Sequence, residues 1–396
     1  MSSVDAGSQT VQIQNVQTSY SLSDIQLLIG AAPAPTVSLG EKEARIAAGE
    51  SYGHFLTPEA APTDLQTATY HSALNRSGPA IASALLGLAA QLEARAAGGP
   101  ITLVSLARAG FPVGIVLHRL LKRRRLNSAH FGVSIVRGVG LDLRALEQVL
   151  AERPASSIVF IDGWTGKGSV LNTLRTSLTG HTVRPIFAAL YDPAGVADIA
   201  GSFDDLLLPH AALNATVSGL LSRSFLVGEG HATQLHAAQY LAHLEAHDLS
   251  TEYVDALDVL CADAAPLPAP SACPHNPAAL ALEIAQKYGC TDPHRAKPGI
   301  GEATRVFLRR RPAALIVRVS TPDTFHLETL ARAGGVPVHT EAALPYAAMS
   351  LIAGSSDTGN PDTASPDTAS PDTASPDTAS PDTGNPDTGN PATGVA

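Results

Sequence analysis

The chain has 396 residues, 44% of them hydrophobic, with a formal net charge of −10. That length suits two or three domains of about 150 residues each, and no apolar run approaches the roughly 20 residues a membrane-spanning helix needs, so no such helix is expected. The charge belongs to the tail: residues 355–396 carry seven aspartates and no Lys, Arg or Glu, which leaves −3 for the rest and no reason to infer repulsion from nucleic acid.

In chain order, residues 1–20 are polar and rich in Gln and Ser, and read as a flexible N-terminus. Ser21 to Leu28 predicts a short helix capped by serine. Leucine and alanine at helical spacing from Tyr70 to Ala97 predict one long helix or two. Ile101 to Ser105 is a short buried strand, and Leu106-Ala-Arg108-Ala109-Gly110 turns from it into a helix that begins near Pro112. That helix closes on Lys122, Arg123, Arg124 and Arg125, cations that suit the dipole at a helix C-terminus and need no ligand. His130 to Asp142 follows as a strand and a glycine-rich loop, with Arg137 and Asp142 as candidates to cover a site or meet an acceptor.

The segment Ser157-Ile-Val-Phe-Ile-Asp162-Gly163-Trp164-Thr165-Gly166-Lys167-Gly168-Ser169 carries the most information. Five residues suited to a buried parallel strand end in an acid. Glycines at 163, 166 and 168 then allow close approach of backbone to an anion, Thr165 and Ser169 add hydroxyl donors, and a helix starting at Ser169 points its dipole at the same place. A P-loop is excluded, because Gly166-Lys167 is followed by Gly168 and position 161 is Ile. A strand-to-helix turn without ligand is the plain alternative.

Val183 to Leu190 and Asp204 to Leu208 fit later strands of the same sheet. Between them Asp192-Pro193 either lines the cleft or opens a turn. His231, His236, His243 and His247 suggest metal, but no carboxylate accompanies the i,i+4 pair as in His-Glu-x-x-His, so a solvated helix face is expected and no metal site is assigned. Five prolines in residues 262–278 mark a linker. Beyond it come a helix at Ala279 to Tyr288, another opening near Lys297 to Arg305, a strand at Ala314 to Val319, a helix at Asp323 to Ala333 and a strand at Val336 to His339. Residues 355–396 repeat Pro-Asp-Thr units with no large apolar side chain before Val395, a composition that cannot offset chain entropy and predicts a disordered tail.

The Ile158 to Ser169 segment resembles the ribose-phosphate loop of type I phosphoribosyltransferases, and Leu106 to Gly114 resembles their pyrophosphate loop. Several further motifs occur in one order: Ser105 to Gly110, His130 to Asp142, the 162–168 loop, and Leu213-Asn214-Ala-Thr216-Val-Ser218-Gly219 through Arg223. Together they resemble the phosphoribosyltransferase proteins of bacterial tellurium-resistance stress clusters, a family often labelled as StiP-type cysteine proteases. The resemblance spans most of residues 20–354. Residues 279–354 resemble the Pelota-like RNA-binding domain that accompanies this family, its loop matched by Gly299, Glu302 and Arg305, with Gly301 where an asparagine is usual.

The resemblance implies an α/β fold: a type I phosphoribosyltransferase-like parallel sheet with flanking helices over residues 21–261, the 262–278 linker, a small α/β domain over 279–354 and the tail. It implies transfer at C1 of 5-phosphoribosyl pyrophosphate, with Mg2+ carried by that substrate. Arg108 would clamp the leaving group beside Ser105, Ala109 and Gly110. Asp162 and Gly163 would meet the ribose, and Thr165, Gly166, Lys167, Gly168 and Ser169 the 5′-phosphate. Gly163 stands where the family has a second acid, a role for which Asp142 is the candidate substitute. RNA is the implied partner of Lys297, Gly299, Glu302 and Arg305; a solvated basic helix face is the alternative there.

Two other classes stay open: a non-catalytic nucleotide or ribose-phosphate sensor, and, last, an RNA-binding adaptor or a cysteine protease. The family's motif commonly has a cysteine just before Leu213, where this chain has Ala212. Cys261, Cys273 and Cys290 form no Cys-x-x-Cys pair, so zinc is not expected. Three thiols with no signal peptide predict a reduced, cytoplasmic protein.

Overall fold

The structure, a computed structural model, describes residues 14–353 except 39–40, 42–44, 46–47, 49, 137, 228–233, 272 and 274–275. The expected tail, Arg137 and His231 therefore lie outside the described residues, as does most of the expected flexible N-terminus.

Six strands form one parallel sheet: β1 (Gln26–Leu28), β2 (Ile101–Leu106), β3 (Ser128–Val133), β4 (Ile158–Trp164), β5 (Phe187–Tyr191) and β6 (Ile199–Ser202), in the order β1-β3-β2-β4-β5-β6. β2 is buried at every position, as a strand covered on both faces by helices must be. The order reverses direction between β2 and β4, so the loops after these two strands open on one crevice at their carboxyl ends, where open parallel sheets bind ligands.

The expected helix at residues 21–28 is not formed. Ser21 accepts from the amides of Asp24 and Ile25 in a single turn, and the chain then extends into β1, whose residues pair with Phe131 to Val133. Beyond the exposed Gln26, the three consecutive residues Leu27, Leu28 and Ile29 are all buried, a run that suits a strand between two layers better than one helix face. The strand expected at 204–208 is also displaced. β6 lies earlier, and 204–208 runs irregularly because Asp204 and Asp205 turn to local and distant hydrogen-bond partners instead of a ladder.

Helix α1 (Asp64–Ala96) is the single long helix, the first of the two alternatives expected, and it begins before Tyr70. Thr63 caps it reciprocally with Gln66, and Ala97 ends it in the left-handed region at φ 48. Pro79 inside it costs about 3 kcal/mol. Burying Ile81, Leu85, Leu88 and Leu92 against the sheet stabilises by about 1.5–3 kcal/mol each, so packing wins. Helices α2 (Gly110–Arg123), α3 (Leu143–Glu152), α4 (Ser169–Ser177) and α5 (Ser250–Asp263) complete the layers. The basic end of α2 is paired, Arg119 with Asp24 and Asp255, and Arg123 with Asp258. The proline-rich segment after α5 lies along α1. The amide of Leu267 donates to the Ser83 carbonyl at 2.9 Å. A Cβ at Gly87 would stand 2.3 Å from the Leu267 carbonyl oxygen, so only glycine admits the segment there.

The C-terminal unit is a second small α/β domain. It contains α6 (Pro277–Lys287), β7 (Ala296–Pro298), α7 (Ile300–Arg309), β8 (Pro312–Val317), α8 (Phe325–Ala333), β9 (Val338–Thr340) and β10 (Ala348–Ile352), with strand order β7-β10-β8-β9. β10, which pairs antiparallel with both β7 and β8, adds to the elements expected from sequence. Ala73, Leu207 and Ala211 of the first unit share one apolar cluster with Ile300 and Ala303 of α7.

Candidate ligand cleft

Where β4 ends, Asp162 is 7% exposed and its Oδ1 accepts the Gly163 amide at 2.7 Å. Burial pushes its carboxyl up to about 7, opposed by the Gly163 amide and by Arg305 and reinforced by Glu302. Thr165 donates to Asp192 Oδ1 at 2.5 Å, and Asp192 Oδ2 accepts the Ala197 amide at 2.7 Å. Asp192 therefore both anchors the turn after β5 and fixes the Thr165 hydroxyl. Gly168, at φ 82, turns the chain into α4.

Gly163 is closely packed. A Cβ there would lie 3.1 Å from His210 Nε2, 3.2 Å from the Ala109 carbonyl oxygen and 3.3 Å from Leu208 Cδ1. His210 Nδ1 is 3.0 Å from the Tyr253 hydroxyl, and its ring centroid is 5.4 Å from that of Trp164. Burial lowers its pKa to about 3, so the imidazole is neutral. The missing second acid thus has a steric correlate: the histidine occupies the space a side chain at 163 would need.

The loop after β2 brings Arg108 to the same crevice. It pairs with Glu59 at 2.8 Å and donates to the Leu221 carbonyl, while Glu59 also accepts the Ala215 amide. Arg223 donates to the Phe55 carbonyl at 2.6 Å. From the C-terminal unit, Glu302 accepts the Trp164 Nε1 hydrogen at 3.2 Å and lies 3.6 Å from Arg305, whose guanidinium sits 5.8 Å from the Trp164 ring centroid. Lys167 donates to the carbonyls of Pro293 and Ala296, and the Tyr346 hydroxyl donates to the Gly166 carbonyl at 2.9 Å.

These groups enclose a cleft of about 570 Å³ with Arg108, Lys167, Arg223, Lys297, Arg305 and Arg310 on its walls against the carboxylates Glu59, Asp162 and Glu302. It favours an anion. Arg108, Ala109, Asp162, Thr165, Gly166, Lys167, Gly168, Ser169, Lys297, Glu302 and Arg305 all line it, so residues nearly two hundred positions apart converge.

Other expected site residues lie elsewhere. Ser105 is buried, its Oγ 2.8 Å from His130 Nε2. Gly110 packs against the Ile161 carbonyl, and Gly299 turns the chain into α7 at φ 101. Asp142 caps α3 through the Ala145 amide and accepts the His236 amide at 2.6 Å, so it does not supply a second acid to the cleft. Glu59, His210, Asn214, Arg223 and His243 line the cleft although the sequence reading assigns none of them to it. His243, expected on a solvated helix face, lies 2.9 Å through Nε2 from the Glu59 carbonyl oxygen. The ordered 213–223 motif points to Asn214 and Arg223; nothing in the sequence marks Glu59.

The family described as tellurite-like stress resistance cysteine protease StiP matches residues 18–258. The chain belongs to that family. A PELOTA RNA binding domain matches residues 275–354. The chain is also similar to a protein of Acinetobacter baylyi named "Cysteine protease StiP", 31% identical over 372 residues that cover 88% of this chain and 97% of the relative.

These names correct the expected activity. Family and relative are called a cysteine protease, a hydrolase, which overturns a phosphoribosyltransferase acting on 5-phosphoribosyl pyrophosphate and gives a ribose-phosphate sensor no better footing. Stress resistance and an RNA-binding domain stand. Among the described residues, no helix is long and apolar enough to cross a membrane.

The thiols bear on the protease name. Cys261 lies in the core 3.8 Å from the Ala82 carbonyl oxygen, and burial raises it to about 11. Cys290 donates to the Asp292 carbonyl at 3.3 Å, and Cys273 packs against Gly195; burial raises both, and Asp192 adds to the effect on Cys273. None of the three lines the cleft, and Ala212 is buried without a thiol.

Proposed function

We propose that the chain is an RNA-binding stress-resistance protein whose cleft receives the phosphate backbone of a single RNA strand. The observation that carries this reading is the cleft's double wall of cations, Arg108, Lys167 and Arg223 from the first unit and Lys297, Arg305 and Arg310 from the unit matched by an RNA-binding domain. Phosphate contacts by such groups supply most sequence-independent affinity for nucleic acid. The amides of Gly166 to Ser169 and the Ser169 hydroxyl add neutral donors at the start of α4.

Titration of a fluorescein-labelled single-stranded RNA by anisotropy tests the reading. Binding that weakens steeply with salt and falls in Lys297→Ala/Arg305→Ala supports it; no binding at low salt overturns it.

The relative's name favours a second reading, thiol-dependent peptide hydrolysis. Cleavage of a denatured protein substrate that disappears in a Cys261→Ser/Cys273→Ser/Cys290→Ser variant would support it, and cleavage unchanged by those substitutions would remove it.

A further inference from the structure

The start of α7 is the segment whose spacing, Gly299, Glu302 and Arg305, matches an RNA-binding loop, and in this chain it faces inward. Both carboxylate oxygens of Asp205 lie on the Ile300 amide, at 2.9 and 3.0 Å, and Oδ2 also accepts the Ala347 amide at 2.8 Å. An acidic group held by amides at a helix start has the charge and acceptor geometry of a phosphate oxygen pair. The next two residues are covered as well. A Cβ at Gly301 would make ordinary contact, 3.5 Å from the Trp164 ring and 3.7 Å from Ala211 Cβ, so the rest of the asparagine usual in this loop would add bulk against the indole. Glu302 is bonded to the same indole at 3.2 Å.

We infer that Asp205 stands in for an RNA phosphate at the start of α7, so that the chain holds its own RNA-binding loop closed. This rests on the RNA reading of the C-terminal unit and deepens it. The cleft admits a single strand while the two units remain together. A folded RNA that must seat against the α7 start binds only after Asp205 and Trp164 let go. Ile300 and Ala303 also leave their apolar contacts with Leu207 and Ala211 in that step, which keeps the closed form the resting one. When the competent state is a minor fraction, apparent affinity falls by that fraction.

The test uses the full chain, Asp205→Asn and Gly301→Asn, with a fluorescein-labelled RNA hairpin and a single strand of equal length. The Asp205→Asn change keeps the shape of the side chain but removes the charge that imitates phosphate. The Gly301→Asn change adds bulk against the Trp164 cover without touching Asp205. Both variants should bind the hairpin at least about tenfold more tightly than the parent while single-strand affinity changes little. Hydrogen exchange should show the Ile300 amide less protected in both. Hairpin affinity equal to the parent's, in variants whose Ile300 amide has become exposed, overturns the inference. The RNA reading fails separately, if neither RNA binds the parent or either variant. Should one variant fold poorly, the other decides the same question alone.

Discussion

His210 and Gly163 share one space: a β-carbon at 163 would approach His210 Nε2 to 3.1 Å, and the histidine is held in place through Nδ1 by the Tyr253 hydroxyl. Gly163→Asp should therefore destabilise the fold by about 1–3 kcal/mol, the usual penalty for overpacking. His210→Ala in the same chain should recover part of that loss, because the two changes are in contact and do not add. Denaturant unfolding of the two single variants and the double variant measures the coupling, and strict additivity would show that the histidine is not the obstacle.

Asp162 makes stability depend on pH in a defined direction. Its carboxyl sits at about 7 in the folded chain, chiefly through burial, with Glu302 adding to the rise and Arg305 and the Gly163 amide opposing it; the neighbouring His210 is neutral. The unfolded chain releases that proton near the ordinary value of 3.8. Between these values the folded state holds a proton the unfolded state lacks. The contribution is therefore full below about 4, declines as pH rises through 7 and is level beyond. Asp162→Asn should flatten this slope and raise the melting temperature at about pH 8.5, where the parent has lost the whole contribution. The ceiling on the gain is on the order of 4 kcal/mol at 1.4 kcal/mol per unit. A parent and variant with parallel pH profiles would contradict the assignment.

The Arg108–Glu59 pair should be structural as well as electrostatic. Both side chains are less than one-fifth exposed, and Glu59 also holds the Ala215 amide. Glu59→Ala leaves a partly buried guanidinium short of its anion and an amide short of its acceptor, for an expected loss of about 1–3 kcal/mol. Its RNA affinity should rise, since Arg108 gains freedom to meet phosphate. Thermal unfolding and anisotropy on one preparation check both halves.

Thiol chemistry gives a direct readout of the protease name. All three thiols are raised above their ordinary range, so at about neutral pH little thiolate is present. Iodoacetamide should label the folded chain more slowly than it labels free glutathione, with Cys261 slowest because it lies in the core. Rapid stoichiometric labelling of one cysteine would instead reveal an activated nucleophile.

The elements whose pattern depends on local chain are legible in the sequence. The strand through Asp162, the turn at Gly168 and the helix from Ser169 follow from hydrophobic run, glycine and hydroxyl order; the structure has the turn and the helix there, and the strand runs two residues further to Trp164. The C-terminal helices and β8 are likewise visible. Residues 21–28 are not, because a capping serine before apolar residues suits helix and edge strand equally until the facing strand β3 is known. Glu59 and His210 are illegible as site residues for a related reason: each reaches the cleft through a partner more than forty positions away, which no local spacing records. The family motifs lead to the right family and to an activity that the names of its members contradict.

The docking of Leu267 on α1 sets how far the C-terminal unit can travel. With Leu267 pinned to Ser83 and closed in by Gly87, and Cys273 packed against Gly195, the chain from Leu267 to Pro277 reaches at most about 35 Å when fully extended. A unit on so short a tether stays at an effective concentration in the millimolar range. Any RNA that seats on α7 therefore competes with a neighbour that never leaves. Capture would be set by the local abundance of the right RNA fold more than by the intrinsic strength of the loop, and release would be followed by prompt re-closure.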